Sequence, residues 1–532
     1  MDYPRDHEHR SGALQSRLHA AHDGRDLLRA TGDGRGDRRH GRGAHLGGHE
    51  RERIYGPGPQ RHPALHAGLP GRHAVREQRS ARGPRQRRAP GRRGGGVPLH
   101  RSEDRRVPGR AGGTDTAGQA PVPLGSRRRA RERRSVVNSA LDGITVVDLT
   151  QGVAGPFCTR LLAQMGARVI KVERPGSGDL IREWDTHVNG MCSGHVWVNP
   201  GKESIALDLS QPEGQDILLQ LVARADVLVE NFVPGTLERW GLTPQRIREA
   251  RPDLILCRIS GFGQDGPYAE RSALDLIIQG ETGLITTNGT QDEPAKISLS
   301  VADLSGAMYA TTSILQSLFH RERTQQGQDI DLALFDSVMT WTGYFPYMWW
   351  YQGQRPGRVG LHHHTMFPYG TYRAGDGKGV IVAAGAGSRD QWQRFCEAID
   401  HLELVDHPDY LTNGLRLANR EALSEIVQGA IGSRPQAYWL ARFHEVGIPS
   451  GALNEFDEGL DHPRMHHRGM VREVDSAVGK VKVLDYPPQF SSLETVNELG
   501  PPLLGEHTDA LLAELGLEPG AVAKLRESGI TA

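Results

Sequence analysis

The sequence predicts an α/β fold, a doubly wound parallel sheet joined to a smaller α/β domain. Three observations carry this expectation. From Leu141 onward, short runs of Val, Ile and Leu alternate with helix-length segments. The runs are continuously apolar, as strands covered on both faces are. A second alternation begins near Gly379, after an aromatic and then Gly-rich interruption.

The elements follow in order. Ile144–Thr150 reads as the first strand. Gly155-Pro156 then opens a helix reaching Met165, with Pro in a first turn where its missing N–H costs nothing. Arg168–Glu173 is the second strand and 204–209 the third, followed by a helix over Pro212–Ala223. Asp226–Glu230 and Leu254–Ser260 are further strands, and Ala302–Arg323 has the apolar spacing of a long helix. The turn after the first strand reads Gln-Gly-Val-Ala-Gly-Pro (151–156), so this Rossmann-like sheet lacks the dinucleotide fingerprint. The expected domains are 139–340 for the large one, completed by about 475–532, and 366–450 for the small one. Residues 341–365 and 451–475 are expected to be linkers.

Charge divides the chain. Residues 1–134 hold 31 Arg and no Lys against 14 acidic residues; the remainder holds 33 basic and 50 acidic residues. The first 134 residues also contain no Phe, Trp, Cys or Asn and no apolar period. Such a segment cannot bury enough apolar surface to offset its ordering entropy, and residues 1–138 are expected to be disordered. The composition matches GC-rich sequence translated upstream of a true start near Val136 or Val137. A basic arm binding nucleic acid is the alternative. The acidic balance of the rest argues against a nucleic-acid partner. Four well-separated cysteines, Cys158, Cys192, Cys257 and Cys396, suit a reducing cytoplasm and indicate neither a disulfide frame nor a metal site. No apolar run is long enough to span a bilayer, so no membrane partner is expected.

Several strings stand out: Val-Val-Asp-Leu-Thr (146–150), Lys-Val-Glu-Arg-Pro-Gly-Ser-Gly-Asp (171–179), Val-Glu-Asn-Phe-Val-Pro-Gly (229–235), Gly-Phe-Gly-Gln-Asp-Gly-Pro (261–267), Val-Ala-Asp (301–303) and Leu-Leu-Gly-Glu-His-Thr (503–508). In this order they resemble the family III CoA-transferases, the formyl-CoA and carnitine CoA-transferase type. The resemblance spans about 140–530. It implies transfer of CoA from an acyl-CoA donor to a small carboxylic acid acceptor, with CoA as substrate and no tightly bound cofactor. It also implies an interlocked homodimer, and Asp303 as covalent nucleophile. Read alone, Asp303 is equally a cap for a helix starting at 304.

Arg174 aligns with a CoA-contacting arginine of the family. Lys171 lies at the same strand end, where ligands bind in parallel sheets, and Arg182 is a further candidate. Gln151 stands where formyl-CoA transferase has His, and Val153 where it has Gln, which argues against formyl-CoA specificity. The loop from Arg355 through His362-His363-His364 replaces a polyglycine loop, and Arg358 or one of these His is expected to meet a substrate carboxylate. Succinyl-CoA with a small dicarboxylic acid is the expected pair. The 2-methylacyl-CoA racemases of the same superfamily need His before the aspartate equivalent to Asp275. Here that residue is Leu274, so Asp275 is expected to be a structural carboxylate near the nucleophile helix.

Overall fold

The computed structural model describes residues 138–385, 388–496 and 499–532. The basic segment expected to be disordered therefore lies, up to residue 137, outside the described residues.

The large domain is built on six parallel strands: β1 (Thr145–Asp148), β2 (Arg168–Glu173), β3 (Lys202–Ala206), β4 (Val227–Glu230), β5 (Ile255–Ser260) and β6 (Gln328–Ala333). Their spatial order is β3-β2-β1-β4-β5-β6. The order reverses between β1 and β4, which opens a crevice at their carboxyl ends.

The apolar runs supply both faces through the period of two. Val146, Val227 and Val229 face a layer made by the helix Ala154–Gln164 and the long helix Val301–Thr324. Val147 and Leu228 face the opposite layer, with Ile217, Leu218 and Leu221 of the helix Pro212–Val222 and Leu511 and Leu512 of Thr508–Glu514. Gly155 lets the first helix approach its own entry turn, because a Cβ there would lie 2.3 Å from the Thr150 side chain.

Most expected elements lie within a few residues of these bounds, and β2 coincides with its expected span. The third strand is displaced. It runs Lys202–Ala206, two residues earlier than expected, because Lys202 is buried in the sheet and its charge is compensated there. The C-terminal segment returns to β3: Thr508 Oγ1 accepts the Ala206 N–H at 3.1 Å, and Thr531 Oγ1 donates to the Ala206 carbonyl at 2.7 Å.

The smaller α/β unit has an antiparallel sheet of β7 (Tyr369–Arg373), β8 (Gly379–Ala383) and β9 (Ser450–Leu453). Its core includes Phe367, Trp392, Phe395, Leu423, Val427, Trp439 and Phe443. The two expected linkers contain regular structure. Residues 341–365 include the aromatic helix Phe345–Gln352, and 451–475 hold the end of β9, two short helices and the start of a hairpin, β10 (Val471–Ser476) and β11 (Gly479–Leu484). The Trp- and Tyr-rich run is helical because Pro346 sits in the first turn and Gly353 ends it in a left-handed conformation. No helix among the described residues is long and apolar enough to cross a membrane.

Candidate active site

Two groups of charged residues occupy the carboxyl edge of the sheet, and they differ in how their charges are met. The first is built by the 171–179 string. Lys171 and Asp179 form an ion pair at 2.9 Å with both side chains fully enclosed. Lys171 Nζ also donates to the Thr150 carbonyl at 2.6 Å. Asp179 Oδ1 accepts the Gly152 N–H at 2.9 Å, which ties the β2 loop to the β1 turn. Two residues before Arg174 stands Val172, and next to it Glu173, which receives Arg182 at 2.7 Å through both Nε and a terminal nitrogen. Ser204 Oγ adds a third bond to Glu173 at 2.6 Å.

Behind this pair lies a second. Lys202 meets Asp148 at 3.0 Å, and donates to the Pro156 carbonyl and to Asn199 Oδ1 at 2.9 and 2.8 Å. Asn199 in turn contacts Nδ1 of the buried His195, whose Nε2 lies 2.9 Å from the Pro502 carbonyl. Burial works to raise the Asp148 carboxyl, yet the adjacent Lys202 and Lys171 ammoniums hold it well below the usual carboxylate range. Burial likewise opposes ionisation of Glu173, but Arg182 and Lys171 bring it down to about 2. Burial lowers Lys202 to about 8 and His195 to about 4.

These contacts correct two expectations. Lys171 is sealed inside the framework and has no face left for a ligand. Arg182 is committed to Glu173 and to the Pro502 carbonyl. Arg174 is different: it is exposed, and its side chain makes no hydrogen bond or ion pair with any described residue. It borders a cleft of about 430 Å³ with Gln151, Leu149, Leu207, Phe232 and Trp240. Gln151 is fixed through its backbone: its N–H donates to Asn231 Oδ1, and its carbonyl accepts from Asn231 Nδ2, both at 2.8 Å. Asn231, at the end of β4, thus closes the crevice between β1 and β4. It stands in the 229–235 string, but nothing in the sequence marks its side chain as the clasp.

The second group is Asp303. The long helix carries the chain from the carboxyl end of β5 back to the start of β6, so its first turn lies at the same sheet edge as Arg174. It belongs, however, to the opposite layer. Asp303 is not among the residues lining the Arg174 cleft, so the two are not brought into one cavity.

Asp303 does not cap the helix. The helix begins at Val301, and Asp303 is its third residue. The cap comes from elsewhere: Asp275 Oδ1 accepts the Ala302 N–H at 2.8 Å. Asp275 opens the short helix Asp275–Glu281, and its Oδ2 accepts from Gln279 at 2.7 Å. Its expected structural role agrees with this geometry. Leu274, the residue before it, is exposed and carries no acid or base.

The Asp303 carboxylate accepts no hydrogen bond and has no cation within ion-pair distance among the described residues. It is partly buried, and burial pushes its carboxyl up to about 7, with the Asp275 charge adding to the effect. The carboxylate is thus partly desolvated and, among the described residues, has no hydrogen-bond or ion-pair partner.

The 355–364 loop is anchored rather than open. Arg358 donates to the Thr290 and Gln291 carbonyls at 2.7 and 2.6 Å. His363 stacks on Tyr369 with ring centroids 5.0 Å apart, and His364 Nε2 lies 2.8 Å from the Gly357 carbonyl. Among the described residues, no group of three or more His, Cys, Asp or Glu is arranged to hold a metal ion.

The model of CoA-transferase family III matches residues 141–508, nearly all of the described chain. The protein belongs to that family. This family III enzyme is 36% identical over 394 residues to the succinyl-CoA:glutarate CoA-transferase of Mus musculus, covering 73% of this chain and 90% of that protein. It is 38% identical over 395 residues to the succinyl-CoA:mesaconate CoA-transferase of Haloarcula marismortui, covering 72% and 98%. A crystal structure of a CAIB/BAIF family protein from Brucella suis superposes with a TM-score of 0.64 at 35% identity, over 71% of this chain and all of that one. The enzyme is thus a CoA-transferase with a mixed α/β fold, as the order of its sequence strings implied.

Proposed function

We propose that this enzyme moves CoA from succinyl-CoA, or a closely similar acyl-CoA, to a small dicarboxylic acid, with Asp303 as covalent carrier. The observation that carries the proposal is the unpartnered Asp303 carboxylate at the carboxyl edge of the sheet. The relatives' names support the donor and the acid class.

The steps balance around one carboxylate. Asp303 attacks the thioester carbonyl and expels CoA thiolate, leaving a mixed anhydride. The thiolate then attacks the aspartyl carbonyl and releases the donor's acid as its carboxylate. This yields an aspartyl-CoA thioester. The acceptor carboxylate attacks that thioester, again forming an anhydride and free thiolate. Attack of the thiolate on the acceptor carbonyl gives the new acyl-CoA and restores Asp303. Each step exchanges one acyl oxygen or sulfur for another, so no external oxidant, metal or proton source is required.

The Arg174 cleft suits the nucleotide end of CoA: Phe232 and Trp240 give an aromatic wall, and Arg174 is free to meet phosphate. The pantetheine arm would then cross the sheet edge past Gln151 toward Asp303. Leu274 supports transfer over racemisation, because the residue before Asp275 offers no acid or base. Two interlocked copies remain the expected assembly, supported by exposed aromatic residues such as Trp350 and Tyr351, 69% and 81% exposed, which a second copy would cover.

The test is a matrix of acyl-CoA donors against carboxylic acids, read by mass spectrometry of the acyl-CoA products. Exchange from succinyl-CoA to dicarboxylic acids is expected. No exchange to any acid, with deuterium entering the α-carbon of a 2-methylacyl-CoA in deuterated water, would contradict the proposal.

A further inference from the structure

Asp275 and Gln279 are four residues apart on one helix, so their side chains share a face. Gln279 is fully buried. A buried primary amide is costly unless satisfied. Here both ends are engaged. Oε1 accepts the Ile297 N–H at 2.9 Å. Nε2 donates to Asp275 Oδ2 at 2.7 Å, and lies 3.3 and 3.4 Å from the carbonyls of Ile297 and Leu299.

These partners define what the amide does. Ile297 and Leu299 belong to the segment that leads into the long helix. Asp275 accepts the Ala302 N–H and so fixes the helix's first turn. Ser300, the residue in the cap position, makes no side-chain cap bond of its own. The entry to the helix is therefore held from outside, by one amide and one carboxylate on the 275–281 helix. Asp303 is the residue next to Ala302, and its carboxylate has no bond of its own to fix it.

We infer that Gln279 is a positioning residue for acyl transfer: it seats Asp275 and the 297–299 segment so that Asp303 projects unpartnered toward the thioester. The inference rests on the reading of Asp303 as nucleophile. Gln279 touches neither substrate nor the reacting atoms, and it acts through Asp275 and the backbone before the long helix. A purely structural amide would change stability alone. A positioning amide changes the chemical step and leaves thioester binding as it was. A misplacement of about 1 Å costs on the order of 100-fold in rate even when its origin lies outside the chemistry.

Two variants test this in the full-length enzyme. Gln279→Met keeps the volume and deletes every hydrogen bond. Gln279→Glu keeps an acceptor for the Ile297 N–H and removes the amide donor to Asp275. Wild-type enzyme and variants are compared for kcat, for KM of succinyl-CoA, and for the rate at which Asp303 acquires a hydroxylamine-sensitive adduct in a single turnover.

The expected result is a fall of about 10- to 100-fold in both kcat and adduct formation for each variant, with KM for succinyl-CoA within about twofold. If either variant folds and keeps the wild-type rate of adduct formation, the inference is overturned. Should Gln279→Met not fold, Gln279→Glu decides by the same criterion. A rise in KM with unchanged kcat also overturns it. If the wild type itself forms no adduct at Asp303, the reading of the nucleophile fails and this inference falls with it. A wild-type adduct with unimpaired variants sinks the inference alone.

Discussion

The buried carboxylates of the 148–179 network and the carboxylate of Asp303 lie at one edge of the same sheet, yet they obey opposite electrostatics. Asp148, Asp179 and Glu173 each face a cation and receive hydrogen bonds. Their charges are held by the fold, and the network joins β1, β2 and β3 to their connecting turns. Asp303 faces no cation, and its nearest charged influence is another carboxylate. Burial with compensation ties the strands and turns together, whereas the partly buried Asp303 carboxylate is left without a partner among the described residues. The same contrast separates Lys171 from Arg174, cations three residues apart, one sealed in an ion pair and the other left open beside a cleft.

That contrast predicts effects of different kinds, the largest in stability. Lys171→Ala leaves Asp179 enclosed without its cation, and removing one partner of a buried pair costs about 3–5 kcal/mol. Chemical denaturation should register a loss of this size, with activity lost through unfolding. A near-neutral effect would show that water reaches the pair.

Asp303→Asn should behave in the opposite way. The native carboxyl, raised to about 7 from an ordinary 3.8, binds protons more readily than in the unfolded chain. Native stability therefore falls as pH rises from about 4 to about 7, because the charged form is disfavoured only in the folded state. At pH 8 the Asn variant should be more stable than the wild type, on the order of 1–2 kcal/mol once partial solvent exposure is allowed for. The gain should vanish near pH 4. Thermal melts at the two pH values check the sign, and a variant less stable at pH 8 would refute it. Wild-type transfer should follow the ionised fraction and rise with pH through about 7.

The smallest effect on the fold belongs to Arg174. Arg174→Ala should alter stability by less than about 0.5 kcal/mol, as expected for an exposed residue without partners. It should weaken acyl-CoA binding by about 10-fold, the worth of one charge-assisted bond, with kcat little changed. Calorimetric titration with CoA measures this directly. Unchanged affinity would remove the cleft as the nucleotide site.

Much of this edge was legible in the sequence. Continuous apolar runs marked β2 and β5 because both faces of a central parallel strand are covered. The helix bearing Asp303 is visible from its spacing, but no local cap marks its first residue: Asp275, 27 residues earlier, supplies that function. Lys171 reads as a phosphate contact in the sequence because it stands near an arginine at a strand end. Its partner Asp179 is reached only when the loop between them closes, which no local pattern records. Lys202 does not read as a strand residue for the same reason, since Asp148 is 54 positions away. Long-range compensation of buried charge is the information that periodicity and motifs leave out.

On this reading Asp303, and none of the carboxylates of the 148–179 network, carries the acyl group and then CoA. Peptide mapping after incubation with succinyl-CoA and hydroxylamine tests it most directly. A single hydroxamate is expected, at Asp303, absent from Asp303→Asn, which should also lose all transfer. A hydroxamate on any other carboxylate, or transfer at the wild-type rate in Asp303→Asn, would contradict it.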